Sequence, residues 1–199
     1  MLKWKTELIL LALTLLALPL SAASSLKAIQ DSYSKHRDFT AEFTQDSHQV
    51  MLKKDIHFTG KVSYSREHGV RMDVYSPQKQ LIVLKGSTVW VYLPDEGTSS
   101  LQEVPKEFAS QNVLAFFAGI SSLEGDYKVA AEGDSLKLKP KKGVGDLTIV
   151  VDQQNLIKAI QLKDASGNQS EIHLKNYRFD QGLKSGLFKQ QAAPAKPRP

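Results

Sequence analysis

The spacing of apolar residues changes period early in the chain. Leu26, Ile29 and Tyr33 recur at intervals of three and four, the spacing of one helical stripe, and Ser24-Ser25 can cap that helix. The pattern predicts a helix end around His36-Arg37. From there the period is two, as in a strand with one buried face. Phe39, Ala41 and Phe43 alternate with Thr40, Glu42 and Thr44; Ile56, Phe58, Gly60, Val62 and Tyr64 repeat the alternation, and Val70, Met72 and Val74 continue it. Leu81–Leu84 and Val89–Tyr92 are denser, and are expected to be apolar on both faces, with Lys85-Gly86-Ser87 as the hairpin turn between them. Pro105 suits the first turn of a second helix, whose apolar set is Phe108, Val113, Phe116, Phe117 and Ile120. Strands are expected again at Tyr127–Ala131, Leu136–Lys139, Leu147–Val151, Leu156–Leu162 and Ser170–Phe179, between turns rich in Asp, Asn and Gly.

Strands at roughly ten-residue spacing, mostly hairpin-linked, predict one strongly bent antiparallel sheet. Such a sheet has two faces, and the two expected helices can cover only one of them. Curling it into an open, incomplete barrel with the helices across its mouth buries the inner face. Period alone leaves open whether that interior is packed core or a ligand cavity.

Composition narrows the chemistry. The 199 residues include no cysteine, which excludes disulfides, thiolate nucleophiles, Cys zinc sites and iron–sulfur clusters. The net charge of +5 is uneven: residues 24–180 carry 20 basic and 20 acidic side chains, and the stretch after Asp180 carries four basic residues and no acid. A neutral body offers no concentrated basic face for phosphates, so no nucleic-acid partner is expected. Lys3 and Lys5, the apolar run Leu8–Leu18, Pro19 and the small residues Ser21-Ala22-Ala23 read as a cleaved export signal. The run is too short to cross about 30 Å of hydrocarbon. The expected organisation is a signal over 1–23, a domain over 24–190 and a disordered Pro/Lys tail over 191–199, of which 192–199 are expected to be dispensable for stability.

Reactive constellations are missing from the sequence. None of the five histidines forms a close ligand pair on one helix face, although His48 and His57 fall on neighbouring predicted strands. No Gly-x-Ser-x-Gly elbow occurs, and Gly143-Val144-Gly145 precedes a strand rather than a phosphate-binding helix. No catalytic residue, metal ligand or cofactor is assigned, and an enzyme is not expected. Two features remain. Phe108, Phe116 and Phe117 fit either ordinary core or a lid over an apolar cavity. The turn within Tyr64–Met72 carries Arg66 and Arg71 in a chain with five arginines, and fits either a solvated hairpin tip or a functional turn.

These segments, in this order, resemble the LolA family of periplasmic lipoprotein carriers. Phe39-Thr40-Ala41-Glu42-Phe43-Thr44-Gln45 is similar to the family's Phe-x-Ala-x-Phe-x-Gln strand, and Gly60–Arg66 to the next strand, which ends in arginine. Most specific is the span from Ser76-Pro77 through Leu81-Ile82-Val83 to Gly86-Ser87-Thr88-Val89-Trp90-Val91-Tyr92-Leu93-Pro94, and Leu136–Pro140 is similar to a Leu-x-Pro strand end. The resemblance implies a mainly β fold with two to three helices: an open antiparallel β-barrel with a helical lid over a hydrophobic cavity. It implies that Arg66 latches the lid over the empty cavity. Glu67-His68 departs from the Pro-Gly or Pro-Asn that often follows that arginine, and Val70 stands where an aromatic engages the donor complex. The walls are expected from Phe39, Phe43, Phe58, Val62, Leu81, Val83, Val89 and Trp90. The lid is expected from Leu26, Ile29, Phe108, Val113, Phe116 and Phe117. Implied partners are acylated outer-membrane lipoproteins, an inner-membrane ABC-type lipoprotein release complex and an outer-membrane lipoprotein acceptor, met by a monomer in a Gram-negative periplasm. The alternative is a periplasmic barrel that binds or senses lipid or glycolipid and regulates a partner.

Overall fold

Ser25 caps the first described element, accepting a hydrogen bond from the Ala28 amide at 3.1 Å and opening helix α1 (Leu26–Ser34). A computed structural model of the protein describes residues 25–103, 127–142 and 144–190. The stripe Leu26, Ile29 and Tyr33 is buried, as its spacing predicts.

Eleven strands follow: β1 (Asp38–Gln49), β2 (Lys54–Ser65), β3 (Gly69–Ser76), β4 (Gln80–Lys85), β5 (Thr88–Leu93), β6 (Thr98–Glu103), β7 (Tyr127–Glu132), β8 (Ser135–Pro140), β9 (Asp146–Val151), β10 (Ile157–Lys163) and β11 (Gln169–Phe179). A 3-10 turn at Ser185–Phe188 comes last. The strands form one antiparallel sheet in the order β6-β5-β4-β3-β2-β1-β11-β10-β9-β8-β7. It is two meanders joined at the β1–β11 seam, where Phe39 faces Phe179 and Phe43 faces Leu174. β6 and β7 are the outer strands and do not pair with each other, so the sheet is open among the described residues. The fold is therefore mainly β with a large open antiparallel sheet, as expected. The expected second helix and its residues Phe108, Val113, Phe116 and Phe117 lie outside the described residues, as do residues 1–23 and 191–199.

Register divides the side chains between two faces. Phe39, Ala41 and Phe43 stand opposite Tyr64, Val62 and Gly60, which stand opposite Val70, Met72 and Val74. Ile82, Leu84, Val89 and Val91 continue this face through β4 and β5. Leu136, Leu138, Leu147, Ile149, Val151, Ile157, Ile160 and Ile172 continue it on the other side of the seam. The α1 stripe packs onto it, so this is the inner face and the main core.

The opposite face carries a second cluster. Leu81, Val83 and Trp90 pack with Phe188, and with the partly buried Tyr92, Leu183 and Leu187. Asp38 anchors the segment that brings them there. Its two carboxylate oxygens accept the Gln181 amide at 2.7 Å and the Leu183 amide at 3.1 Å. Arg71, in a bidentate pair with Asp73, donates to the Leu187 carbonyl at 2.7 Å. β4 and β5 are apolar on both faces, as predicted, because the chain's own C-terminal segment covers the outer one. This corrects the expected wall set. Phe39, Phe43, Val62 and Val89 belong to the inner core with Phe58 packed against it, whereas Leu81, Val83 and Trp90 point the other way.

Candidate functional site

The last turn of α1 leaves carbonyls without helical partners. Arg66, in the turn between β2 and β3, reaches them: its Nη2 donates to the Ser34 carbonyl at 2.6 Å and to the His36 carbonyl at 2.9 Å. Its backbone amide donates to the Arg37 carbonyl at 3.0 Å. One exposed guanidinium thus ties the end of α1 to the hairpin rim, with both bonds leaving its planar Nη2 amino group. The turn itself depends on Gly69, whose φ is +104° and whose absent Cβ would lie 2.2 Å from the Leu84 carbonyl oxygen. Of the two readings of the two-arginine stretch, a plain solvated tip is ruled out. Arg66 holds α1 on one side of the sheet, and Arg71 holds the C-terminal segment on the other.

A second tether sits on the same helical turn. The Ile157 amide donates to the Tyr33 hydroxyl at 3.1 Å, the Tyr33 hydroxyl donates to that of Tyr177 at 3.0 Å, and the Tyr177 hydroxyl donates to the Ile157 carbonyl at 2.9 Å. This closed ring of bonds satisfies both backbone groups of Ile157 where β10 begins. The rings of Tyr33, Phe39, Tyr64, Tyr177 and Phe179 surround it with edge and stacked contacts of 5.2–6.4 Å between centroids. Burial pushes the Tyr33 hydroxyl up from 10 to about 12, and pushes Tyr177 up as well. His36 stacks on Phe179, and its Nδ1 lies 2.7 Å from Asp180 Oδ2. That hydrogen bond, with one from the Arg37 amide, lowers the Asp180 carboxyl below its ordinary value.

Removing the Tyr33 hydroxyl in Tyr33→Phe leaves the buried Ile157 amide without an acceptor. The expected cost is about 2 kcal/mol, or about 5 °C in Tm. The sign of the pH dependence follows from the raised value. Folded Tyr33 resists deprotonation until about pH 12 while the unfolded chain ionises near 10. Its contribution is therefore complete below pH 10 and is lost as pH rises towards 12. Urea midpoints across that range should fall more steeply for the wild type than for Tyr33→Phe.

Other expected residues separate. Leu26 and Ile29 lie on the inner face as part of α1. Val70, expected at a partner-docking position, is 0% exposed and lies between Tyr64 and Leu84. A side chain with no surface offers nothing for a partner to touch, so Val70 is a core residue. His48 and His57 do lie on adjacent strands, but each meets a carboxylate instead of the other. His48 Nδ1 is 2.6 Å from Asp55 Oδ1, and His57 Nδ1 is 2.6 Å from Asp46 Oδ1. These pairs border a polar groove of about 670 Å³ that Gln161 and Glu171 also line. Among the described residues, no group of three or more His, Cys, Asp or Glu is placed to hold a metal ion.

The Tyr33 hydroxyl and Asp38 are anchors that sequence reasoning does not reveal, whereas Arg71 stands out in the two-arginine turn but its Leu187 partner does not. The partners lie more than a hundred residues away for each, beyond the reach of any local pattern.

A family model described as "Outer membrane lipoprotein carrier protein LolA" matches residues 34–191, a span that begins in the last turn of α1 and includes all the described strands. The chain is 26% identical over 170 residues to an outer-membrane lipoprotein carrier protein of Actinobacillus pleuropneumoniae, covering 84% of this chain and 79% of that one. It is 27% identical over 188 residues to the protein of the same name in Haemophilus influenzae strain PittEE, covering 92% and 91%. Among solved structures, a DUF1329 family protein from Desulfovibrio piger superimposes with a TM-score of 0.51 at 15% identity, over 84% of this chain and 95% of that one. That likeness concerns the fold alone.

Proposed function

The chain belongs to the LolA family of outer membrane lipoprotein carrier proteins, and from that membership we propose that it shields lipoprotein acyl chains on its inner face. In this reading it takes them from an inner-membrane release complex to an outer-membrane acceptor across the periplasm. The problem such a carrier meets is physical. Each buried CH₂ is worth about 0.8 kcal/mol, so a chain of ~15 methylenes represents roughly 12 kcal/mol that must be neither exposed nor trapped. A cavity filled by part of the protein itself solves both halves, because that part competes with the cargo and limits its affinity.

The observation that carries this reading is how α1 sits. Its apolar stripe occupies the inner face, and its end is held by hydrogen bonds from Arg66 at the rim. Loading exchanges the burial of Leu26, Ile29 and Tyr33 for burial of acyl chain against Phe39, Phe43, Phe58, Val62 and Val89. Phe108, Val113, Phe116 and Phe117 belong to the same proposed lid. Catalysis has no part in this function.

A saturable fluorescent apolar dye tests it. An acylated lipoprotein peptide should displace the dye, and the same peptide without its acyl chains should not. Equal competition by the two peptides would overturn the proposal.

A further inference from the structure

The β1–β2 turn carries the largest apolar exposure among the described residues. Met51 is 86% exposed and Leu52 70%, with Val50 beside them at 43%. Isolated exposed apolar residues are ordinary, but three in succession at a tip are not. Lys53 and Lys54 follow directly, both exposed.

The tip is built: β1 stays paired with β11 as far as His48–Gln169, and on the other side the hairpin stands clear of β3. β2 pairs with β3 only from Thr59 onwards, so the five residues Lys54–Phe58 run past the end of β3, about 17 Å at strand rise. The Val50 amide donates to Asn168 Oδ1 at 2.9 Å, and the Lys53 amide donates to the Val50 carbonyl at 3.2 Å. Asn168 is itself held by Asp164, which accepts its amide at 2.9 Å and its Nδ2 at 2.8 Å. The backbone is thereby fixed while Met51 and Leu52 point into solvent. Lys142 and the 65%-exposed Val144 lie at the same end of the sheet, where Gly145 approaches the Lys163 carbonyl oxygen. Of the acidic groups nearby, Asp55 and Asp46 face His48 and His57 and Asp164 holds Asn168, while Asp146 at the start of β9 is exposed beside the lysines.

We propose that this tip enters the headgroup layer of an anionic bilayer, with Met51 and Leu52 as the apolar wedge and the neighbouring lysines on lipid phosphates. The chemistry favours a lipid surface over a protein partner. Protein hot spots are centred on aromatic or arginine anchors, and this tip has neither. Flexible aliphatic side chains ringed by lysine match the boundary between acyl chains and anionic headgroups. The proposal does not depend on what the inner face carries, and acyl-dye displacement is a separate measurement, so either reading can fail alone.

The test uses protein purified after export, with vesicles of phosphatidylethanolamine and phosphatidylglycerol and vesicles of phosphatidylcholine alone. The wild type should cosediment with the anionic vesicles, less so as salt rises. The double substitution Met51→Asp/Leu52→Asp should weaken that binding about tenfold or more, and Lys53→Glu/Lys54→Glu about tenfold. All four side chains are exposed, so Tm should stay at the wild-type value. Because the chain has no cysteine, Met51→Cys gives a single site for an environment-sensitive fluorophore. Its emission should shift to the blue on anionic vesicles, while the same label at Gln153→Cys, at the other end of the sheet, should not respond. Three results would overturn the proposal: no vesicle binding by the wild type, equal binding by Met51→Asp/Leu52→Asp, or self-association without lipid that this variant abolishes.

Discussion

Replacing Arg66 by leucine is expected to tighten acyl-probe binding about tenfold and to slow release by a similar factor. Arg66 makes two side-chain hydrogen bonds to the Ser34 and His36 carbonyls. Charged donors at protected sites contribute about 1.5–3 kcal/mol each, and solvent at this exposed rim reduces the pair to roughly 1–2 kcal/mol. Those bonds stabilise the state in which α1 covers the inner face. A ligand that displaces α1 works against them, so its affinity depends on the difference between covered and uncovered states. Removing the bonds raises the energy of the covered, empty state and leaves the loaded state nearly unchanged. Arg66→Lys keeps the charge on a shorter side chain without the planar Nη2 amino group and should fall between. Equilibrium titration and stopped-flow release of one acyl probe, across the three proteins, measure the effect. Unchanged affinity and release in Arg66→Leu would make Arg66 a cap for α1 with no part in loading.

The largest loss of stability is expected from Gly60→Ala. A Cβ at position 60 would lie 2.2 Å from the Asp73 carbonyl oxygen, and 2.6 and 2.8 Å from two carbons of the Phe43 ring. Gly60 stands opposite Phe43 on β1, and the β2–β3 register shifts between Thr59 and Gly60. The ring of Phe43 therefore lies in space that a side chain would need, and a backbone oxygen closes the other side. The Phe43 ring can turn only by leaving its place in the core, and the Asp73 oxygen cannot yield without moving a strand, so a cost of about 3 kcal/mol is expected, or roughly 10 °C in Tm. Gly86→Ala is the control. Its φ of +60° makes alanine strained, but a Cβ there meets nothing within 4 Å, so about 1 kcal/mol is expected. Equal losses in thermal melts of the two variants would show that crowding at Phe43 is not the cause.

The elements were legible where one face of a strand is buried and the other is wet. Alternation at Phe39–Phe43, Val70–Val74 and Leu136–Lys139 marks strands because burial is decided residue by residue along a pleat. The Leu26-Ile29-Tyr33 stripe marked α1 for the same reason. β6 was missed because all six of its residues, Thr98–Glu103, are exposed. It is a strand by virtue of backbone pairing to β5 alone, and backbone pairing leaves no trace in side-chain period.

The site divides along the same line. That Arg66 closes a strand and sits in a turn is a local property, readable from the residues around it and from the family resemblance. That it grips the Ser34 and His36 carbonyls depends on α1 lying across the rim of the sheet. Val70 shows the converse: the family resemblance implies docking at this position, and the pairing of β3 between β2 and β4 buries it. Leu81, Val83 and Trp90 are apolar in sequence on either face. Only the return of Leu183, Leu187 and Phe188, held by Asp38 and Arg71, decides which face they serve. The sequence by itself determined the strands, the first helix and the arginine at the hairpin, because local period and turn chemistry write those down. Tertiary structure decided which face is inner, what Arg66 and Tyr33 hold, and which apolar residues stay in water at the Met51-Leu52 tip, because each of those depends on chain segments far apart in sequence meeting in space.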